Sequence, residues 1–329
     1  MHSTSSDPIN WKSAKTWTVI GFPVAALLAC SAAVWTGGFD PRFLWLTLAI
    51  YTLHFFGVTI GYHRLWAHRT FEAKAPLKYL LAITGAMGFQ ESVFRWAAEH
   101  RSHHKHDDKR PEQDPYGVQQ GFWHAHVGWM MKNEFTKFDK RIVSDLLKDP
   151  VASWQHKNYL VLFLSFGVAM PVLIGAWMGS PLSGLSFGVL LPLALSHQAT
   201  FMINSVLHHF GTRRYDPNSS ARDNHLVSLL TLGEGYHNYH HRFPFDYRSG
   251  PRVFDFDPAK WFIWACEKVG LASTLRTARD VDILEARYEA TPGTDAQIEA
   301  GLRELRSISK NSPRQATRRL ERSIRDRIA

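Results

Sequence analysis

Residues 43–68 read FLWLTLAIYTLHFFGVTIGYHRLWAH. From Phe43 to Tyr62 there is no Asp, Glu, Lys or Arg, a length close to the roughly 20 residues a helix needs to cross hydrocarbon. The run closes directly on His63 and His68. Neutral imidazole is the commonest metal ligand among the side chains. An apolar span that ends in paired histidines therefore predicts a metal centre built at a membrane surface.

Three more stretches share the same charge-free character, Thr16–Trp35, Tyr159–Met178 and Gly184–Leu207. Four spans are predicted, at about 16–35, 43–62, 159–178 and 184–207. The overall composition hides them: 45% of the 329 residues are hydrophobic, and the mean hydropathy is −0.22. The net charge is +9, but the basic residues are bunched on one side of the spans. That is the positive-inside pattern, which puts both termini and the long segment 63–158 in the cytoplasm. Nucleic acid is excluded as a partner, because the basic tail lacks interleaved aromatics for base stacking. With only Cys30 and Cys266 in the chain, neither a disulfide framework nor a thiolate metal site is expected. Residues 1–15 are mostly polar with Lys12 and Lys15 as the basic groups, so the first span is expected to be retained rather than cleaved.

All further clustered histidines fall on the predicted cytoplasmic side. His-x-x-His-His occurs twice, at His100, His103, His104 and at His237, His240, His241. Residues at i, i+3 and i+4 share one helix face. With His63 and His68 this makes eight clustered imidazoles, too many for one ion of four to six ligands, so two ions are expected. Imidazole suits iron, copper, zinc and nickel. His63 and His68 pose a difficulty, since five residues turn about 140° on a regular helix and the two cannot aim at one spot from it. His54 and His197, inside spans, are expected to be hydrogen-bonded core histidines. His126 is the candidate for orienting a ligand without touching metal.

The motifs HRLWAH, EHRSHH and GEGYHNYHH, in this order relative to the spans, resemble the three histidine boxes of the membrane fatty acyl desaturases, most of all the acyl-CoA Δ9 (stearoyl-CoA) type. The likeness runs from about residue 40 to 265 and includes GFWHAHVGWMM, INSVLHHFGTRRYD and DNHLVSLLTLGEGYHNYHHRFPFDYR. It implies an all-α integral membrane fold, four transmembrane helices under a helical cytoplasmic cap with a dimetal site. It also implies an O2-dependent enzyme that introduces a cis double bond, at Δ9, into an acyl chain. By the resemblance the metal ligands are His63, His68, His100, His103, His104, His237, His240 and His241, with His208 as a ninth and Asn204 acting through a water. The metals would be two Fe ions, with Zn able to replace them. Thr47 and Tyr51 would sit near the closed end of an acyl tunnel, and Lys109, Arg110, Arg213 and Arg214 are candidates for the headgroup. Animal acyl-CoA members tend to have Asn and Arg about nine and two residues before the second box. Here those positions are Glu91 and Ala98, which leaves acyl-CoA and lipid-linked substrates both in view.

Soluble di-iron proteins of the ferritin type use paired Glu-x-x-His motifs. Here Glu234 and His237 form a single copy, inside the third box, which disfavours that class. A fatty acyl or alkyl hydroxylase of the same metal architecture is the alternative enzyme, and a non-catalytic metal-binding membrane protein the alternative class. With no fused haem domain and no cysteine cluster, electrons are expected from a separate carrier such as cytochrome b5 or ferredoxin with its reductase. The domain division expected is 1–271 for the membrane unit and cap, and 272–329 for a charged tail ending in Arg314, Arg318, Arg319, Arg322, Arg325 and Arg327.

Overall fold

The computed structural model describes residues 9–37, 39–132 and 139–290; the arginine-rich end of the expected tail lies outside them. Four helices are long and apolar enough to cross a membrane: α1 (Ala14–Trp35), α2 (Arg42–Ala67), and, after α3 (Ala75–Met87) and α4 (Val93–His106), α5 (Pro150–Trp177) and α6 (Pro181–His209). The four predicted spans are all present, and the protein is an integral membrane protein. α2 and α6 form the inner pair, with 56% and 61% of their apolar windows buried, against 17% and 28% for α1 and α5. The outer pair shows lipid-facing side chains such as Leu27, Leu28, Leu164 and Leu173. Trp35 and Trp177 are almost fully exposed where the outer helices end, the position of an aromatic interface belt.

The boundaries differ from the hydropathy reading for local reasons. α5 starts at Pro150, ahead of the predicted 159, because its first turns rise out of the cap. Asp149 caps it by accepting from the Val151 N–H at 2.9 Å and the Ala152 N–H at 3.2 Å. α2 runs on to Ala67 because residues 57–67 adopt a wider π-helical turn, buried throughout. α5 and α6 also widen, at Phe163–Ala169 and Ser186–Leu190, next to Pro171 and Pro192. A proline removes an N–H and crowds the preceding turn, and a π turn absorbs the mismatch.

α3, an apolar helix of 13 residues, is too short to span. It packs so closely on α2 that a Cβ at Gly57 would stand 2.0 Å from the Gly85 nitrogen. The cap continues with α7 (His225–Leu230), α8 (His237–Arg242), α9 (Pro258–Lys268) and α10 (Asp280–Ala290). A two-residue ribbon pairs Glu72–Ala73 with Ala272–Ser273. Residues 272–290 therefore belong with the cap, not with the tail to which their charge assigned them. Arg276 donates to the Thr70 carbonyl at 2.8 Å, and Val281, Leu284 and Ala286 of α10 are buried. A charged exterior masked a short apolar face.

Candidate metal centre

The ends of α2 and α6, with α4 and α8, meet at the cap end of the bundle and carry nine histidines into two groups. His63, His68, His100, His104 and His240 form one; His103, His208, His237 and His241 form the other. Within each group the candidate ligand nitrogens all lie within 4.8 Å of one another. Each His-x-x-His-His motif is divided between the groups. α4 sends His100 and His104 to the first and His103 to the second; α8 sends His240 to the first and His237 and His241 to the second. The i, i+4 pair of each motif stays together and the intervening histidine crosses over.

The five-residue spacing of His63 and His68 is resolved by the π turn. Its i→i+5 hydrogen bonds stack residues five apart, and the His68 N–H donates to the His63 carbonyl at 3.0 Å. The two rings lie 4.9 Å apart, in the same group.

Buried carboxylates and hydroxyls hold the outer nitrogens of several rings. His63 Nδ1 faces Glu234 Oε2 at 3.1 Å. His103 Nδ1 donates to Asp114 Oδ1 at 2.8 Å, and His241 Nδ1 faces Asp107 Oδ2 at 3.4 Å. His208 Nδ1 lies 2.8 Å from the Ser220 hydroxyl. A carboxylate only accepts, so the proton sits on Nδ1 and the Nε2 lone pair points inward. The inward atoms are crowded. His240 Nε2 is 3.0 Å from His63 Nε2 and 2.9 Å from His104 Nε2. His237 Nε2 is 3.1 Å from the Nε2 atoms of both His208 and His241. One proton cannot serve two such neighbours, and His103 Nε2 is buried with no hydrogen-bond partner at all. Nitrogens held at right angles about 2.0–2.1 Å from one cation stand about 3 Å apart. The residues fit a bound transition metal.

Electrostatics favour the same state at five of the rings. Burial, then the neighbouring imidazoles, push His100, His104, His237, His240 and His241 well below the ordinary histidine range, so they stay neutral. Burial also lowers His103, but Asp114 and Asp107 outweigh it and raise it to about 9. Burial raises Glu234, yet His63 and Arg64 overcome this and hold it at about 2. Arg64 is itself almost wholly buried, reaching Glu234 at 3.1 Å and Asp257 at 2.9 Å.

An apolar cavity of ≈ 230 Å³ runs past this centre. Its lining includes His63, His100, His237 and Asn204, with walls from Phe55, Val58, Trp96, Trp129 and Phe201. Asn204 is buried one helical turn before His208. At the rim Lys15 pairs with Glu91 at 3.4 Å, and Arg95 with Glu99 at 2.9 Å. Thr47 and Tyr51 are not among the lining residues. Thr47 donates to the Phe187 carbonyl at 2.6 Å. The Tyr51 ring lies 5.0 Å from Phe55, a lining residue, and its hydroxyl donates to the Leu230 carbonyl. Lys109, Arg110 and Arg213 are exposed on loops away from the lining, with Arg214 half-buried beside them.

His126 does not touch the clustered rings: it meets Ser205 at 2.9 Å and Gln198 at 3.1 Å on α6. The orienting role falls to Glu234, Asp114 and Asp107. The first was visible as the Glu of a single Glu-x-x-His, which argues only against the ferritin-type class, and the two aspartates lie in a polar loop with no periodic signal. His54 meets Ser196 at 3.3 Å and His197 the Gly88 carbonyl at 2.9 Å, both buried.

Residues 12–251 match the family model described as fatty acid desaturase. A probable acyl-CoA desaturase of Schizosaccharomyces pombe is 38% identical over 281 residues, 83% of this chain and 57% of that protein. Stearoyl-CoA desaturase 5 of Bos taurus is 38% identical over 241 residues, 71% of each chain. Acyl-CoA desaturase 1 of Saccharomyces cerevisiae is 37% identical over 231 residues, 70% of this chain. The chain thus spans about half the length of the two yeast relatives, 57% and 45%.

Proposed function

Since the chain belongs to the fatty acid desaturase family, we propose that it is an O2-dependent acyl desaturase that introduces a cis double bond, at Δ9, into a saturated chain carried on CoA or on a lipid. The overall change removes two hydrogens from adjacent methylenes; with O2, two electrons and two protons, it yields the alkene and two waters. The observation that carries the reading is the convergence of inward-facing imidazoles in two groups beside an apolar cavity.

No side chain acting as acid or base breaks an unactivated methylene C–H bond; two ferrous ions supplied with O2 and external electrons provide that oxidising power. His63, His68, His100, His104 and His240 would hold one ion, and His103, His208, His237 and His241 the other, with Asn204 reaching the second through water. Glu234, Asp114 and Asp107 fix ring orientation through the Nδ1 atoms of His63, His103 and His241. The apolar walls exclude water and direct the chain past His63, His100 and His237. Tyr51, one turn beyond Phe55, would limit the depth available to the chain. Lys109, Arg213 and Arg214 are proposed for the polar headgroup, and a separate redox protein for the electrons. The connections 36–42 and 179–183 carry a single basic residue, Arg42, paired with Asp40, so the positive-inside rule supports a cytoplasmic metal centre and cytoplasmic termini.

The test is expression in a desaturase-deficient host with double bonds mapped by gas chromatography and mass spectrometry. Unsaturated product is expected from the native chain and none from His103→Ala; hydroxylated product alone would overturn the assignment. Tyr51→Ala is expected to shift the profile toward longer substrates, and an unchanged profile removes Tyr51 from length selection.

A further inference from the structure

Beyond the four spans, the cap carries its own apolar surface. α7 exposes Leu226, Leu229 and Leu230, and α9 exposes Trp261 and Trp264. Between them, Phe254 is 96% exposed. Direct contacts join the parts: the Ser228 hydroxyl of α7 donates to the Phe256 carbonyl at 2.9 Å, and the Phe256 ring lies 6.0 Å from Trp261. Contiguous exposed apolar surface of this kind marks an interaction site on a soluble face.

Two observations say what covers it. First, the surface continues the lipid-facing side of the bundle. Phe262 of α9 packs on Phe56 of α2 at 5.4 Å between rings, and the Leu230 carbonyl at the end of α7 accepts from the Tyr51 hydroxyl. Tyr51 lies twelve residues before His63 on α2, roughly 15–18 Å down the helix axis. The Tyr51 phenol thus ties the end of α7 to the side of a spanning helix, on the membrane side of the metal centre. Second, one of the tryptophans carries an exposed lysine. Lys268 Nζ stands 5.5 Å from the Trp264 ring centroid. Tryptophan with adjacent lysine, apolar body inward and charged tip outward, is the side-chain chemistry of the headgroup boundary.

We propose that this surface is a half-inserted anchor: α7 dips into the acyl region of the leaflet on the cap side, while Trp261, Trp264 and Phe254 rest at its headgroup boundary. The cap is then held against the bilayer by lipid contact as well as by its covalent links to the spans. The inference rests on the membrane fold and not on the proposed chemistry.

The experiment uses the unaltered full chain in nanodiscs containing one copy each, with lipids bearing a photoactivatable diazirine at the acyl terminus in one preparation, to report on 225–232, and beside the headgroup in another, to report on 252–269. After illumination, adducts are mapped by peptide mass spectrometry. Adducts are expected on peptides covering 225–232 and 252–269, as on α1 and α5, and none on 139–149 of the cap. A Phe254→Cys variant carrying a nitroxide gives a second readout: oxygen collisions should exceed those of a water-soluble nickel chelate, the reverse of a Lys140→Cys label. Adduct-free cap peptides, or a Phe254 label that behaves like the Lys140 one, overturn the proposal. Adducts on 225–232 and 252–269 that vanish in two-copy discs overturn it in favour of a contact between copies.

Discussion

At the residue scale the centre depends on side chains that carry no metal-ligand signature. Arg64 joins two buried carboxylates, Glu234 and Asp257, and Glu234 in turn orients His63. Removing one partner of a buried charge pair costs about 3–5 kcal/mol, while losing the group that orients a ligand costs about 10–100-fold in metal affinity. Glu234→Gln, close in shape but without the charge, is expected to show the second effect, read by metal analysis after dialysis against a graded chelator. Retention equal to the native chain would separate Glu234 from the centre. The pH dependence has a definite sign. Glu234 is held at about 2 in the fold, below its ordinary 4.5, so its stabilising contribution is complete above the unfolded value and lost as pH falls from there toward 2. Between pH 6 and 3 the melting temperature of the native chain should fall more steeply than that of Glu234→Gln; parallel curves would contradict the shift.

At the scale of elements the decisive feature is the wide turn of α2. It gives His63 and His68 a common direction and presses Gly57 against α3. A methyl at Gly57 would meet the backbone of Thr84 and Gly85 at 2.0–2.6 Å, where nothing yields without moving the helix. Overpacking of this kind costs about 1–3 kcal/mol, sometimes more. Gly57→Ala is therefore expected to lower thermal stability and, by displacing α2 from α3, to reduce bound metal as well. Full metal loading at unchanged stability would show that the contact has slack. A 3.6-residue period says only that the two histidines would diverge on a regular helix, and the change to i→i+5 bonding that unites them leaves no mark in residue types. The splitting of each His-x-x-His-His motif across two groups was equally invisible, because spacing gives the face of a helix but not what stands opposite it.

For the whole molecule, the two histidine groups draw on α2, α4, α6 and α8, so one centre ties the spans to the cap. Anything that binds the native state alone adds stability by mass action, about 2.7 kcal/mol at a ligand concentration 100-fold above Kd. For a protein of this size that corresponds to roughly 4 °C in melting temperature. Stripping metal with a chelator is expected to lower the transition by that order and re-addition to restore it; identical curves for loaded and stripped protein would refute the coupling. Divalent affinity at nitrogen sites rises from iron to zinc. Protein made in excess is accordingly expected to carry zinc, to be as stable as the iron form and to be inactive. Full turnover by a zinc-only sample would overturn the iron assignment.

What the order of residues settles alone is the number of spans, the end of the bundle that holds the histidines, and eight of the nine histidines that cluster, His208 having come only from the family resemblance. Each of these follows from a local property: charge-free length, or spacing along one segment. Tertiary structure decides which rings share a group, which carboxylates face them, that 272–290 joins the cap, and that the end of α7 bonds to Tyr51. Those outcomes depend on contacts between segments far apart in the chain, such as His63 with His240 and Tyr51 with Leu230. Short-range periodicity cannot encode a distance across the fold; only the packing of one helix against another fixes it.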